Sequence, residues 1–191
     1  APTVACFGGE PLQGQPTPQE KVLRVLNSGK NGPTALHEAT AYSSADEAAQ
    51  AYAIASKALG SCAVTGFYIQ SGHAISGVGK QAVGVLAMDG ARGRAAHSVL
   101  LNQTGRVINV IDATQPSRVV AMAAVARALG EVNKVQWDPA GGPCGGVPSV
   151  KNGPPPLGGD EPGFLATGDL PPAGAKPAPW TATEIELPKE E

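Results

Sequence analysis

From Asp138 to Pro179 the chain is written largely in proline and glycine, with the runs PAGGPCGG, NGPPPLGG and PPAGAKPAP. Such a stretch cannot bury enough apolar surface to fold by itself, and its prolines favour extended backbone. It divides the chain into residues 1–137, which can build a core, a linker at 138–179, and a terminal segment at 180–191. The terminal segment alternates like a strand, with Trp180, Ala182, Glu184 and Glu186 on one side and Thr181, Thr183, Ile185 and Leu187 on the other. A lone strand is not stable in water, so it has to pair with a sheet elsewhere. FLATGDLPP (164–172) is the apolar island of the linker. Phe164, Leu165 and Leu170, with Trp180, Ile185 and Leu187, are the side chains by which the tail would dock.

Within residues 1–137 the clearest element is SADEAAQAYAIASKALG. Ser44 and Glu47 form a capping box, Ala48, Tyr52, Ala55 and Leu59 recur at helical spacing, and Gly60 is the expected stop. A second capping box, Thr17 and Glu20 around Pro18, predicts a short helix to Asn27 with Val22, Leu23, Val25 and Leu26 as its apolar face. Strands are expected at 35–42, 62–70, 81–88, 95–102 and 106–112, with SGHAISGVGK and DGARGR as turns. Thr114 and Pro116 open a last helix that carries Val119, Met122, Ala123, Ala126 and Leu129 inward and stops at Gly130. Successive strands with short connections imply an antiparallel sheet. The expected class is α+β, with two main helices on one face of the sheet.

The function classes that need special composition are poorly served. Net charge is −2, with no basic stripe for nucleic acid and no basic amphipathic helix for a membrane surface. No apolar run is long enough to span a bilayer. Aromatic residues are only 4% of the chain, which leaves little material for an apolar ligand pocket. The opening APTVACFGGE has no signal-peptide pattern and fits either a mature terminus left after cleavage or an arbitrary start.

Catalytic and metal motifs fail on spacing. SGHAISGVGK has Ala74 and Gln81 where a phosphate loop needs glycine and Ser or Thr. Ser71 and His73 have no carboxylate in sequence reach for a triad. His37, His73 and His97 show no metal-ligand spacing and are expected to be scattered on the surface. Glu184 and Glu186 read as the solvent side of a strand, Arg92 and Arg94 as a solvated pair, and the sequon at Asn102 as a hairpin turn. No metal, cofactor or enzymatic activity is expected. Cys6, Cys62 and Cys144 lack C-x-x-C spacing, and an odd count permits one internal disulfide and one remaining thiol.

The run AYSSADEAAQAYAIASKALGSC, the short strands after it, and VINVIDATQPSRVVAMAAVARAL resemble the extracellular sensor-like domains of actinobacteria. That group includes the ligand-sensor domain of a mycobacterial receptor serine/threonine kinase and related lipoproteins, and the resemblance covers residues 18–133. It implies a secreted or membrane-tethered, non-enzymatic domain stapled by a Cys6–Cys62 disulfide, with Cys144 free or bonded between chains. It also implies a ligand cleft, here walled by Tyr68, Gln70 and His73, for a small molecule or cell-wall fragment. In such domains an LP-type segment and a tryptophan-bearing strand come first; here FLATGDLPP and PWTATEIEL stand at the other end, so the order looks permuted. Two functions follow as expectations. One is a secreted, self-assembling fibre protein, a head-to-tail homo-oligomer whose tail completes a neighbour's sheet. The other is an extracellular sensor whose tail folds back on its own sheet.

Overall fold

The structure, a computed structural model, describes residues 5–7, 11–29, 32–62, 66–90, 95–116, 118–136 and 146–158. Cys144, Arg92 and Arg94, the 164–172 island and the terminal segment with Trp180, Ile185 and Leu187 lie outside the described residues. A short 3-10 turn, Ala5–Phe7, precedes the strands β1 (Glu20–Asn27) and β2 (Thr34–Ala41), and helix α1 (Ala45–Gly60) follows them. Then come β3 (Phe67–Ser76), β4 (Gln81–Asp89), β5 (Ala95–Thr104), β6 (Val107–Pro116), helix α2 (Met122–Gln136) and β7 (Ser149–Gly153). The strands form one seven-stranded sheet in the order β1-β2-β6-β5-β4-β3-β7, and every neighbouring pair is antiparallel. The α+β class and the antiparallel sheet with two helices are as expected.

The helices do not share a face. Along β5, Val99 and Leu101 pack in the cluster that holds Ala48, Ala51, Tyr52, Ala55 and Leu59 of α1. Leu100 between them packs with Met122, Val125, Ala126 and Leu129 of α2. Successive strand residues point to opposite sides, so α1 and α2 cover opposite faces. The connectivity explains why. The crossover from β2 to β3 through α1 and the crossover from β6 to β7 through α2 move the same way along the sheet, but β2 and β6 run in opposite directions. Two crossovers of one hand must then lie on opposite faces.

Helix α1 forms as its sequence demands. Ser44 Oγ accepts from the Glu47 N–H at 3.1 Å, and the Glu47 carboxylate reaches back to the Ser43 N–H at 3.1 Å. Ser61 closes the other end by donating its N–H to the Lys57 carbonyl at 2.9 Å. Gln103 of β5 fixes the helix start by donating its side-chain amide to the Ala45 carbonyl at 2.8 Å.

Four local expectations are corrected. Residues 17–27 are not a helix: Gln19 already donates to the Ala41 carbonyl at 2.8 Å, and Glu20–Asn27 pair residue by residue with β2. β3 starts at Phe67 and runs through SGHAIS to Ser76, leaving residues 77–80 as the turn, with a bulge at Gln70. β6 continues through Thr114 and Pro116, which pair with His97 and Ala95, so α2 begins only at Met122. Gly130 lies inside α2, where a side chain would press on the Pro148 ring (Cγ 3.1 Å from the Cβ position), and Ala123 is exposed. The linker is also more ordered than its composition suggests. Ser149–Gly153 joins the sheet beside β3, and the following prolines lie on Gly72, where a Cβ would sit 2.3 Å from the Pro155 nitrogen.

Candidate functional site

The two edges of the sheet are treated differently. β7 is five residues long and runs straight into Pro154, Pro155 and Pro156, the length and composition that blunt an edge against further pairing. β1 is eight residues long, holds no proline, and has no strand on its outer side among the described residues. Val22, Leu23, Val25 and Leu26 are 50%, 46%, 56% and 53% exposed. Register with β2 and β6 divides them. Val22 and Leu26 lie on the α2 side, and Leu23 and Val25 on the α1 side. Helix α1 packs mainly on β5 and β6, and α2 on β5 and the far edge strand β7, so β1 lies outside both helical layers. An open strand with apolar side chains on both faces is a template for an added strand.

The charges at this edge differ by face. On the α1 side Lys21 is held by Glu38 at 2.9 Å. On the α2 side Arg24 stands directly opposite His37 in the register and has no ion-pair partner among the described residues. His37 Nε2 donates to Asn109 Oδ1 at 2.9 Å. Asn109 and Gln136 of α2 exchange amide hydrogen bonds at 2.9 and 3.0 Å, and Asn109 also donates to Asn102 at 3.1 Å. Asn102 and Asn133 both donate to the Val78 carbonyl. This amide chain ties the end of α2 to β6, β5 and the β3–β4 turn. It also corrects the reading of Asn102, which is fully buried in β5 and not in a turn.

The interior holds a second polar feature that spacing did not signal. His97 Nδ1 donates to both carboxylate oxygens of Asp112 at 3.0 Å, and Thr114 Oγ1 donates to the same carboxylate at 3.2 Å. Phe67 meets the His97 ring edge-on at 5.3 Å between centroids. His97 and Asp112 are 9% and 4% exposed, and the other ring nitrogen, Nε2, finds no partner among the described residues. The pair ties β5 to β6 from inside the sheet.

The histidines are therefore not scattered on the surface. His97 is in the core, His37 is half-buried, and His73 is 8% exposed with both ring nitrogens unpartnered among the described residues. Of the residues proposed to wall a cleft, Tyr68 is half-buried and Gln70 is exposed at the bulge. Because the bulge resets the alternation, Tyr68 and His73 point to the same side of the sheet. Cys6 and Cys62 are bridged, with S–S 2.06 Å and Cα–Cα 5.0 Å, and the bridge packs on Phe67, Ala87 and Ile69. Among the described residues no group of His, Cys, Asp or Glu is arranged to hold a metal, and no helix is long and apolar enough to cross a membrane. Compared with known proteins, the chain matches no protein-family model, no curated protein and no solved structure.

Proposed function

We propose that this protein is an assembly module that works by strand addition. The β1 edge of one copy accepts an extended strand, and the terminal segment 180–187 of a neighbouring copy supplies it. The observation that carries this reading is the open edge with its four half-exposed apolar side chains, set against a proline-blunted edge on the other side. Covering the rest of each Val or Leu recovers on the order of 1 kcal/mol, and the outer backbone groups of β1 gain partners.

Reach permits it. Between Gly158 and Trp180 lie 21 residues, which extend to about 70 Å. The sheet from β7 to β1 is about 29 Å wide, taking six spacings of roughly 4.8 Å. A tail that leaves one subunit for the next makes a heterologous contact, which builds an open head-to-tail filament unless its rotation closes a ring. The Cys6–Cys62 bridge supports placing this assembly in an oxidising, extracellular compartment. The ligand-sensing alternative draws on the His73 ring nitrogens, unpartnered among the described residues, but that ring is buried.

Sedimentation equilibrium of the full chain and of a chain lacking residues 164–191 tests the proposal. The full chain is expected to associate with rising concentration and the truncated one to lose those oligomers. A full chain that stays monomeric throughout overturns the assembly reading.

A further inference from the structure

Resting on the reading that segment 180–187 is the strand β1 receives, we propose which side of that strand meets which face of the sheet. Glu184 and Glu186 lie beside Arg24 on the α2 face, and Thr183, Ile185 and Leu187 join Leu23 and Val25 on the α1 face.

The argument is charge complementarity at the edge. On the α2 face the outer two strands present Val22, Arg24 and Leu26 of β1 and Ala35, His37 and Ala39 of β2. Among the described residues that surface carries the cation Arg24, unpaired and next to an imidazole, and the two strands' alternating set adds a carboxylate only at the strand end, Glu20. On the α1 face the same strands present Lys21, Leu23 and Val25 with Leu36, Glu38 and Thr40. There the cation is already held by Glu38 at 2.9 Å.

As a strand, segment 180–187 would have an acidic side and an apolar side, because Glu184 and Glu186 share one parity in the sequence and Ile185 and Leu187 the other. Placed with its acids on the α2 face, it gives Arg24 the carboxylates it lacks and sets Ile185 and Leu187 on the apolar pair Leu23 and Val25. Placed the other way, it sets Ile185 and Leu187 on Val22 and Leu26, an equally apolar pair, but brings two more carboxylates towards Glu38 and gives Arg24 none, so the charges decide. Opposed like charges across a strand pair are unfavourable, and opposite charges favourable, so the first arrangement wins. The assignment holds for a parallel or an antiparallel addition, since parity alone sets the face.

Cysteine cross-linking reads the face directly. In a Cys144→Ser background, with Cys6–Cys62 left intact, Leu23→Cys is combined in turn with Ile185→Cys, Leu187→Cys, Glu184→Cys and Glu186→Cys. The products of mild oxidation are identified by non-reducing electrophoresis and peptide mass spectrometry. Leu23→Cys is expected to bond position 185 or 187 and not 184 or 186, while Val22→Cys, on the other face with Arg24 left in place, is expected to bond 184 or 186. The reverse pattern overturns the face assignment and leaves strand addition standing. No bond from either β1 position to any of the four overturns the strand-addition reading together with it. As a second readout, Arg24→Glu is expected to weaken association about two- to fivefold, with recovery when Glu184 and Glu186 are changed to Arg.

Discussion

Removing the Cys6–Cys62 bridge offers a measurable test of how the core is held. The bridge joins residues 56 apart in sequence, so its main effect is to deny the unfolded chain the conformations in which that loop is open. The loop-closure relation gives roughly 14 cal/mol/K for a loop of this length, or about 4 kcal/mol at 25 °C. The folded state has little to lose on reduction, because Cys62 is already buried against Phe67 and Ala87, and Cys6 packs beside Ile69. Almost all of the effect therefore belongs to the unfolded ensemble.

The experiment compares urea unfolding of the Cys144→Ser chain, bridged and fully reduced, so that no side chain other than the bridge changes. With an m-value of about 2 kcal/mol/M, reduction is expected to lower the midpoint by about 2 M. The slope should rise slightly, because an unbridged chain exposes more surface on unfolding. A Cys6→Ala, Cys62→Ala chain should fall at least as far, since it also loses sulfur packing. An unchanged midpoint on reduction would refute the reasoning, for it would mean that the bridge does not restrain the unfolded chain.

Three further outcomes are expected. Asp112→Ala leaves the buried His97 Nδ1–H without its carboxylate and should cost about 1–3 kcal/mol, seen as a lowered midpoint in thermal melts. Burial pushes the Tyr52 hydroxyl up to about 12 from 10.0, so stability is fully present below pH 10 and falls as the unfolded chain's tyrosine ionises between 10 and 12, by about 3 kcal/mol; Tyr52→Phe should flatten that alkaline limb in urea melts taken across the window. Gly72→Ala would put a Cβ 2.3–2.4 Å from the backbone of Pro154 and Pro155, so it should lift residues 154–158 off β3, seen as faster proteolysis at that segment with the remaining sheet intact.

How much of this was legible depends on whether a signal is local. α1 could be read because its cap, its stripe and its stop all lie within 17 residues and agree. The hairpins β4–β5 and β5–β6 could be read from alternation and short turns, the second of them closed by Gly105 at φ 54 and Arg106. The opposite placement of the helices was also written in the chain, in VLL at 99–101 and VINVI at 107–111. Consecutive apolar residues mean a strand covered on both sides, which a sheet with both helices on one face does not provide. What could not be read is what register alone creates. His97 and Asp112 are 15 residues apart, and nothing in their spacing marks them as partners. They meet because β5 and β6 pair Val99 with Asp112 and His97 with Thr114. The amide chain from His37 to Asn133 draws on four elements and a turn, and is invisible for the same reason.

The strand conformation of β1 bears on function. Val22, Leu23, Val25 and Leu26 fit one face of a helix, with a capping box before them, and local preference alone would choose that helix. As a strand the same residues fall two on each side of the sheet, an arrangement that a finished edge strand avoids because it leaves apolar surface in water on both faces. Tertiary pairing with all eight residues of β2 overrides the helix. The cost is an exposed apolar edge, tolerable in a monomer only if something covers it. A strand that buried both faces of β1 at once would have to place side chains on both sides of its own backbone, one set apolar and one able to meet Arg24. The segment from Trp180 to Leu187 has that composition. The helix-like spacing of 22–26 and the two-sided terminal strand are in this reading complementary halves of one pairing, split between the two ends of the chain.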